Sequence, residues 1–79
     1  MNITFGQAWF HNHYVKKGDW NKIIEDLKEG KQKVYENQIG HYYIITDVVD
    51  DPIDKQRITV REFLDEKMAH IALGIFDSY

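Results

Sequence analysis

Apolar positions recur along this chain with two periods, and the changes of period mark its elements. Between Asp19 and Gly30, Trp20, Ile23, Ile24 and Leu27 fall at i, i+3, i+4 and i+7, the spacing that lines one face of an α-helix. Lys22, Glu25, Asp26, Lys28 and Glu29 fill the remainder. Asp19 suits the N-cap and Gly30 the left-handed stop. From His41 to Val49 the period shifts to two: five β-branched residues and two tyrosines follow Gly40 with no Pro or Gly between them. Such a run fits a pleated, buried surface. Tyr42, Ile44, Thr46 and Val48 would share one side of the strand, and His41, Tyr43, Ile45, Asp47 and Val49 the other. Both sides are largely apolar, as in a central strand covered twice.

The remaining segments are read around these two. Thr4 with Gln7 forms a capping-box pattern and Gly18 a stop, which predicts a helix over residues 5–17. The aromatics Phe5, Trp9, Phe10 and Tyr14 leave a strand as the alternative. On that helix Phe5, Ala8, Trp9 and His13 line one face, with Phe10 and Tyr14 paired opposite. Residues 31–38 read as a strand, and Asn37-Gln38-Ile39-Gly40 supplies turn chemistry that returns the chain antiparallel. Asp50-Asp51-Pro52-Ile53-Asp54 is a loop, and Arg57-Ile58-Thr59 a short edge strand. Thr59 with Glu62 makes a second capping box, which predicts a helix to about Leu73 with Val60, Phe63, Leu64, Met68 and Ile71 as its core stripe. Gly74 then ends it, leaving residues 75–79 as a tail or terminal strand. The fold expected is α+β, a single domain over residues 1–79. It combines a small antiparallel sheet of two to four strands with two or three helices packed mainly on one face.

Composition narrows the function classes. Seventy-nine residues with 43% hydrophobic and 14% aromatic content make one folding domain near the lower size limit for a self-sufficient core. No cysteine is present, so disulfides, thiol nucleophiles and thiolate zinc sites are excluded. No stretch reads as a secretion signal or a membrane span, and a cytoplasmic location is expected. Net charge is −3, with Asp47, Asp50, Asp51 and Asp54 clustered and no long basic tract, which argues against strong attachment to duplex nucleic acid.

Three constellations hold candidate chemistry. His11 and His13 share a face only on a strand, where two imidazoles can chelate a metal beside the Asp47–Asp54 loop; that gives a small metal-dependent enzyme as an alternative function. His70 follows Glu66 by four residues, and His41 opens the central strand, but no nucleophile or orienting carboxylate is paired with either by spacing. Lys16, Lys17, Lys31 and Lys33 with neighbouring aromatics offer a second alternative, a single-stranded nucleic-acid binder.

The dominant feature is apolar surplus. Phe10, Tyr14, Tyr43, Ile45, Leu73, Phe76 and Tyr79 lie off the stripes that one small core needs. In size, lack of cysteine and richness in Lys, Ile, Asp and Tyr, the chain resembles the small accessory proteins of bacteriophages and mobile elements from AT-rich hosts. That resemblance implies an inhibitor of a host or defence enzyme that works on nucleic acid. The function expected is therefore non-enzymatic protein binding, with a homodimer as one form. Catalytic, cofactor and metal residues are expected to be none. The contact set expected is Phe10, Tyr14, Tyr43, Asp50, Asp51, Asp54 and Phe76, aromatic anchors beside an acidic loop.

Overall fold

The run from Tyr42 to Asp51 is a ten-residue strand, β3, inside a four-stranded sheet. The computed structural model describes residues 2–16, 18–51 and 55–77, giving the backbone path alone for residues 2, 50, 51, 55, 76 and 77. Numbering by chain order, β1 is Asn2–Gly6, α1 Gln7–Tyr14, α2 Trp20–Lys28, β2 Tyr35–Glu36, β4 Lys55–Phe63 and α3 Glu66–Asp77. The sheet order is β1-β4-β3-β2, with all neighbours antiparallel. Two helices share one face and the third lies on the other, an α+β arrangement with a small antiparallel sheet.

The first face holds the main core. Phe10, Tyr14 and Val15 from the first helical segment and Ile23 from α2 meet Tyr43, Ile45, Ile58 and Val60 from the sheet. Phe10 and Tyr43 are both 0% exposed, with rings edge to face at 5.7 Å. Burying a large apolar side chain of this kind contributes about 1.5–3 kcal/mol. On the second face α3 packs across β3 and β4, and Ile44 and Ala69 are buried there. Both faces of β3 are thus covered, as its continuous apolar run requires.

A β-bulge interrupts that alternation. Ile45 pairs with Val60, but Asp47 pairs with Thr59, so Thr46 is an extra residue. One inserted residue exchanges the faces of everything beyond it. Val48, opposite Ile58, therefore lies on the main-core side in place of Asp47.

Three expectations about the elements are corrected. Residues 5–17 are neither one helix nor one strand: the chain is extended through Gly6 and helical from Gln7. Thr4 caps nothing. It sits opposite Thr59 in the sheet, the two hydroxyls 3.4 Å apart. The inward face of α1 carries Phe10 and Tyr14, held by the sheet and α2, while Trp9 and His13 point out. The strand expected over residues 31–38 shrinks to Tyr35–Glu36, ended by Asn37. There the turn is as expected: the Asn37 side chain accepts the Ile39 and His41 N–H groups at 3.1 and 2.9 Å, and Gly40 takes φ +84°, a conformation costly to any residue with a Cβ.

The largest correction concerns residues 59–65. Thr59 and Glu62 do not open a helix; both lie within β4, opposite Asp47 and Tyr43. Ile58-Thr59-Val60 is β-branched throughout and alternates correctly against β3, which outweighs a capping pattern worth about 1 kcal/mol. The cap that operates is Asp65, whose side chain accepts the Lys67 N–H at 2.7 Å while its carbonyl accepts that of Ala69 at 3.1 Å. Helical geometry then runs through Gly74 to Asp77.

Candidate functional site

Shifting the start of α3 from Val60 to Glu66 changes which of its residues are hidden. Ala69 is the helix residue sealed against the sheet, with Ala72 and Leu73 half-buried. Met68, Ile71 and Ile75, spaced by three and four, fall on a different face of the helix. They are 54%, 49% and 56% exposed, and Leu64, four residues before Met68, is 78% exposed. Three of these four lie on one short helix, and the fourth immediately precedes its cap. Scattered single apolar residues at a surface are ordinary, but a contiguous stripe marks a contact site.

The contact set expected from the sequence is placed differently. Phe10, Tyr14 and Tyr43 are core residues at 0%, 7% and 0% exposure, so none of them can present a ring to a partner. Asp54 lies outside the described residues, as do the side chains of Asp50, Asp51 and Phe76. Only Asp47 of the acidic run has a described side chain, and it is exposed.

The histidines are distributed too. On α1, His11 and His13 diverge by about 200°. His13 stacks on the exposed Trp9 at 3.5 Å, with its Nδ1 2.9 Å from the Trp9 carbonyl. His11 instead stands edge-on to Trp20 at 5.0 Å. Among the described residues no group of three or more His, Asp or Glu side chains is arranged to hold a metal ion. The basic stripe is largely neutralised: Lys16 pairs with Glu36 at 2.7 Å, Lys31 with Glu29 at 2.8 Å and Lys33 with Asp26 at 3.3 Å. Lys17 is outside the described residues. His70 and Glu66 do meet, 3.5 Å apart, as an exposed pair one turn from each other.

Sequence reading missed the polar hub that orders the end of the sheet. Glu62 Oε2 accepts the Tyr14 hydroxyl at 3.0 Å, and Oε1 accepts Asn37 Nδ2 at 2.8 Å and lies 2.9 Å from His41 Nδ1. The three partners lie 21 to 48 residues from Glu62 in the chain, so no local spacing announces the hub. The one available signal was a carboxylate at a strand position facing Tyr43.

Comparisons with protein-family models, with curated proteins and with solved structures find no match. The surface itself must then carry the functional argument. Among the described residues no helix is long and apolar enough to cross a membrane. A cleft of about 440 Å³ runs between α2 and the sheet, walled by Trp20, Ile24, Leu27, Ile45, Val48 and Ile58. Val48, brought to this side of the sheet by the bulge, borders it and is 36% exposed.

Tyrosines tie this framework to pH. Burial and the bond to Glu62 push Tyr14 up to about 12. Burial, with a bond to Asp26, also raises Tyr35; Tyr43 is raised chiefly by burial, its hydroxyl finding no partner among the described residues. At Asp26, burial alone would raise the carboxyl, but the Tyr35 hydroxyl and the Lys33 ammonium outweigh it and hold it below the usual value. A folded-state value above the unfolded one favours the neutral phenol in the fold. The stability it contributes is complete below pH 10 and is lost as pH climbs through about 12. Circular dichroism and phenolate absorbance, followed together through this range, are expected to show Tyr14, Tyr35 and Tyr43 staying neutral above pH 10 for as long as the fold persists. Full ionisation near pH 10 with the dichroism intact would contradict these raised values.

Proposed function

We propose that this chain is a protein-binding module that docks through the outer face of α3. The observation that carries the reading is the stripe of Leu64, Met68, Ile71 and Ile75, each about half exposed or more. Covering such side chains is favourable at roughly 25 cal/mol per Å² removed from water. A docking face on a helix is read through anchors at this spacing. The helix is held by its own buried side, Ala69 against the sheet, while the outer residues keep about half or more of their surface in solvent. An inhibitor of a host or defence enzyme would be one form of such a module. What the surface supports is binding, without naming the target.

The test compares wild type with a Met68→Glu, Ile71→Lys double variant. Both positions are solvent-facing, so far-ultraviolet dichroism should be unchanged. Wild type is expected to form a complex, with itself or with another protein, that the double variant loses. A monomeric wild type that captures the same proteins as the double variant would remove the reading.

A further inference from the structure

β2 pairs only with Tyr42 and Tyr43, so from Ile44 to Asp51 the outer edge of β3 has no strand partner among the described residues. Alternate residues of an antiparallel strand turn both N–H and C=O towards the same edge. A row of such groups left unpaired is a template for one more strand. The cleft of about 440 Å³ lies over this same strand: the consecutive residues Ile45 to Val48 line it, with Trp20, Ile24, Leu27 and Lys28 of α2 as the other wall. We infer that an extended segment of another protein chain adds to β3 here, as a fifth strand of the four-stranded sheet, with alternate side chains entering the cleft. Main-chain bonds to a bare edge hold such a segment, and pockets for its alternate side chains select it. The site is separate from the outer face of α3, which lies on the opposite side of the sheet.

The bulge decides which side chains this segment carries. It puts Val48 on the cleft side of β3 and Asp47 on the other. An added strand alternates in the same way, so one side chain enters the cleft, the next lies beside Asp47, and the one after enters the cleft again. The cleft walls are mainly aliphatic and aromatic, which suits large apolar side chains. Asp47 is exposed, stands opposite Thr59 in β4 and makes no ion pair among the described residues. Opposite charges on neighbouring strands attract and like charges repel, so the residue beside Asp47 is a lysine or arginine. The partner segment is therefore strand-forming with the pattern apolar–basic–apolar. A second copy of β3 fits this edge poorly. It would offer the cleft Val48, a small side chain for so large a space, and would bring Asp47, Asp50 and Asp51 of two acidic strands together.

Of the two tryptophans only Trp20 lines the cleft, so Trp9→Phe leaves a single fluorescent reporter there. A displayed library of random heptapeptides, panned against this variant, is expected to enrich the apolar–basic–apolar pattern. The selected peptide, once synthesised, should shift the Trp20 emission. Methylating alternate amides of the peptide should abolish binding in one frame and spare it in the other, because only one row of its N–H groups meets β3. Asp47→Lys should weaken binding roughly two- to tenfold, an attractive cross-strand pair exchanged for a repulsive one. Glutamate in place of the peptide's basic residue should restore it. The Met68→Glu, Ile71→Lys double variant should bind the peptide as wild type does, so this edge and the α3 face are read apart. A library with no enriched pattern, or binding indifferent to amide methylation in both frames, would overturn the added strand. So would binding lost in the α3 double variant. A wild-type dimer that the selected peptide dissociates would overturn the foreign segment in favour of a second copy.

Discussion

Phe10→Ala is expected to cost about 3–5 kcal/mol, the range for emptying a buried aromatic position. For a domain of 79 residues, total stability at roughly 0.05–0.15 kcal/mol per residue is on the order of 4–12 kcal/mol. The substitution therefore consumes about a quarter of it at the least, and can leave a substantial fraction unfolded at room temperature. Its severity follows from position. Phe10 is 0% exposed and its ring is surrounded by Tyr43 at 5.7 Å, Tyr14 at 5.8 Å, Trp20 at 6.3 Å and Phe5 at 6.5 Å. Rigid rings on several sides cannot collapse into the void, so the cavity term is retained in full. Urea unfolding is the measurement, with Trp9→Ala as its control. Trp9 is one position away and of larger side chain, but 52% exposed, so its truncation should cost far less. Equal midpoints for the two variants would mean that α1 is turned the other way.

That orientation is where sequence and structure part. The seams of α2 and β3 were legible because each is fixed by many agreeing positions: Trp20, Ile23, Ile24 and Leu27 on one, the unbroken run from Tyr42 to Val49 on the other. The turn at Asn37–Gly40 was legible because only a few residue types suit it. Sequence reading failed where one capping pattern was allowed to set a phase. Thr4 with Gln7 placed α1 two residues early and drew Phe5 into the helix beside Trp9, so that face was taken as the inner one and Phe10 and Tyr14 seemed spare when they are the centre of the core. Thr59 with Glu62 did the same to β4 and α3. There the error hid Met68 and Ile71 in a core they do not join, and concealed an exposed apolar stripe. Phe10, Tyr14, Tyr43 and Ile45, read as spare, are buried, and the exposed apolar side chains are others.

The correct start of α3 was present in the sequence as Asp65, a residue as suited to an N-cap as Thr59. Choosing between them needed the strand partners of Ile58 and Val60, which are Val48 and Ile45 in β3 and Phe5 and Ile3 in β1. Those pairings are non-local. The same holds for the bulge at Thr46, which no single-strand pattern predicts, and for the three groups gathered around Glu62.

Glu62→Ala is the second large effect expected, on the order of 2–4 kcal/mol. The loss comes less from removing a carboxylate than from what it leaves behind. Tyr14 is 7% exposed and Asn37 2%, so the Tyr14 hydroxyl and Asn37 Nδ2 would each be stranded, at about 1–3 kcal/mol for a buried donor without an acceptor. Asn37 in turn holds the β2–β3 turn through Ile39 and His41, and its N–H donates to the His41 carbonyl at 2.8 Å. Removing Glu62 thus loosens the turn as well as the rim of the core. Asn37→Ala acts on the same network, so the double variant should lose clearly less than the sum of the single losses. Urea midpoints of the four proteins give the coupling directly. Strict additivity, or a Glu62→Ala midpoint within experimental scatter of wild type, would show that the hub is solvated and bears no part of the fold.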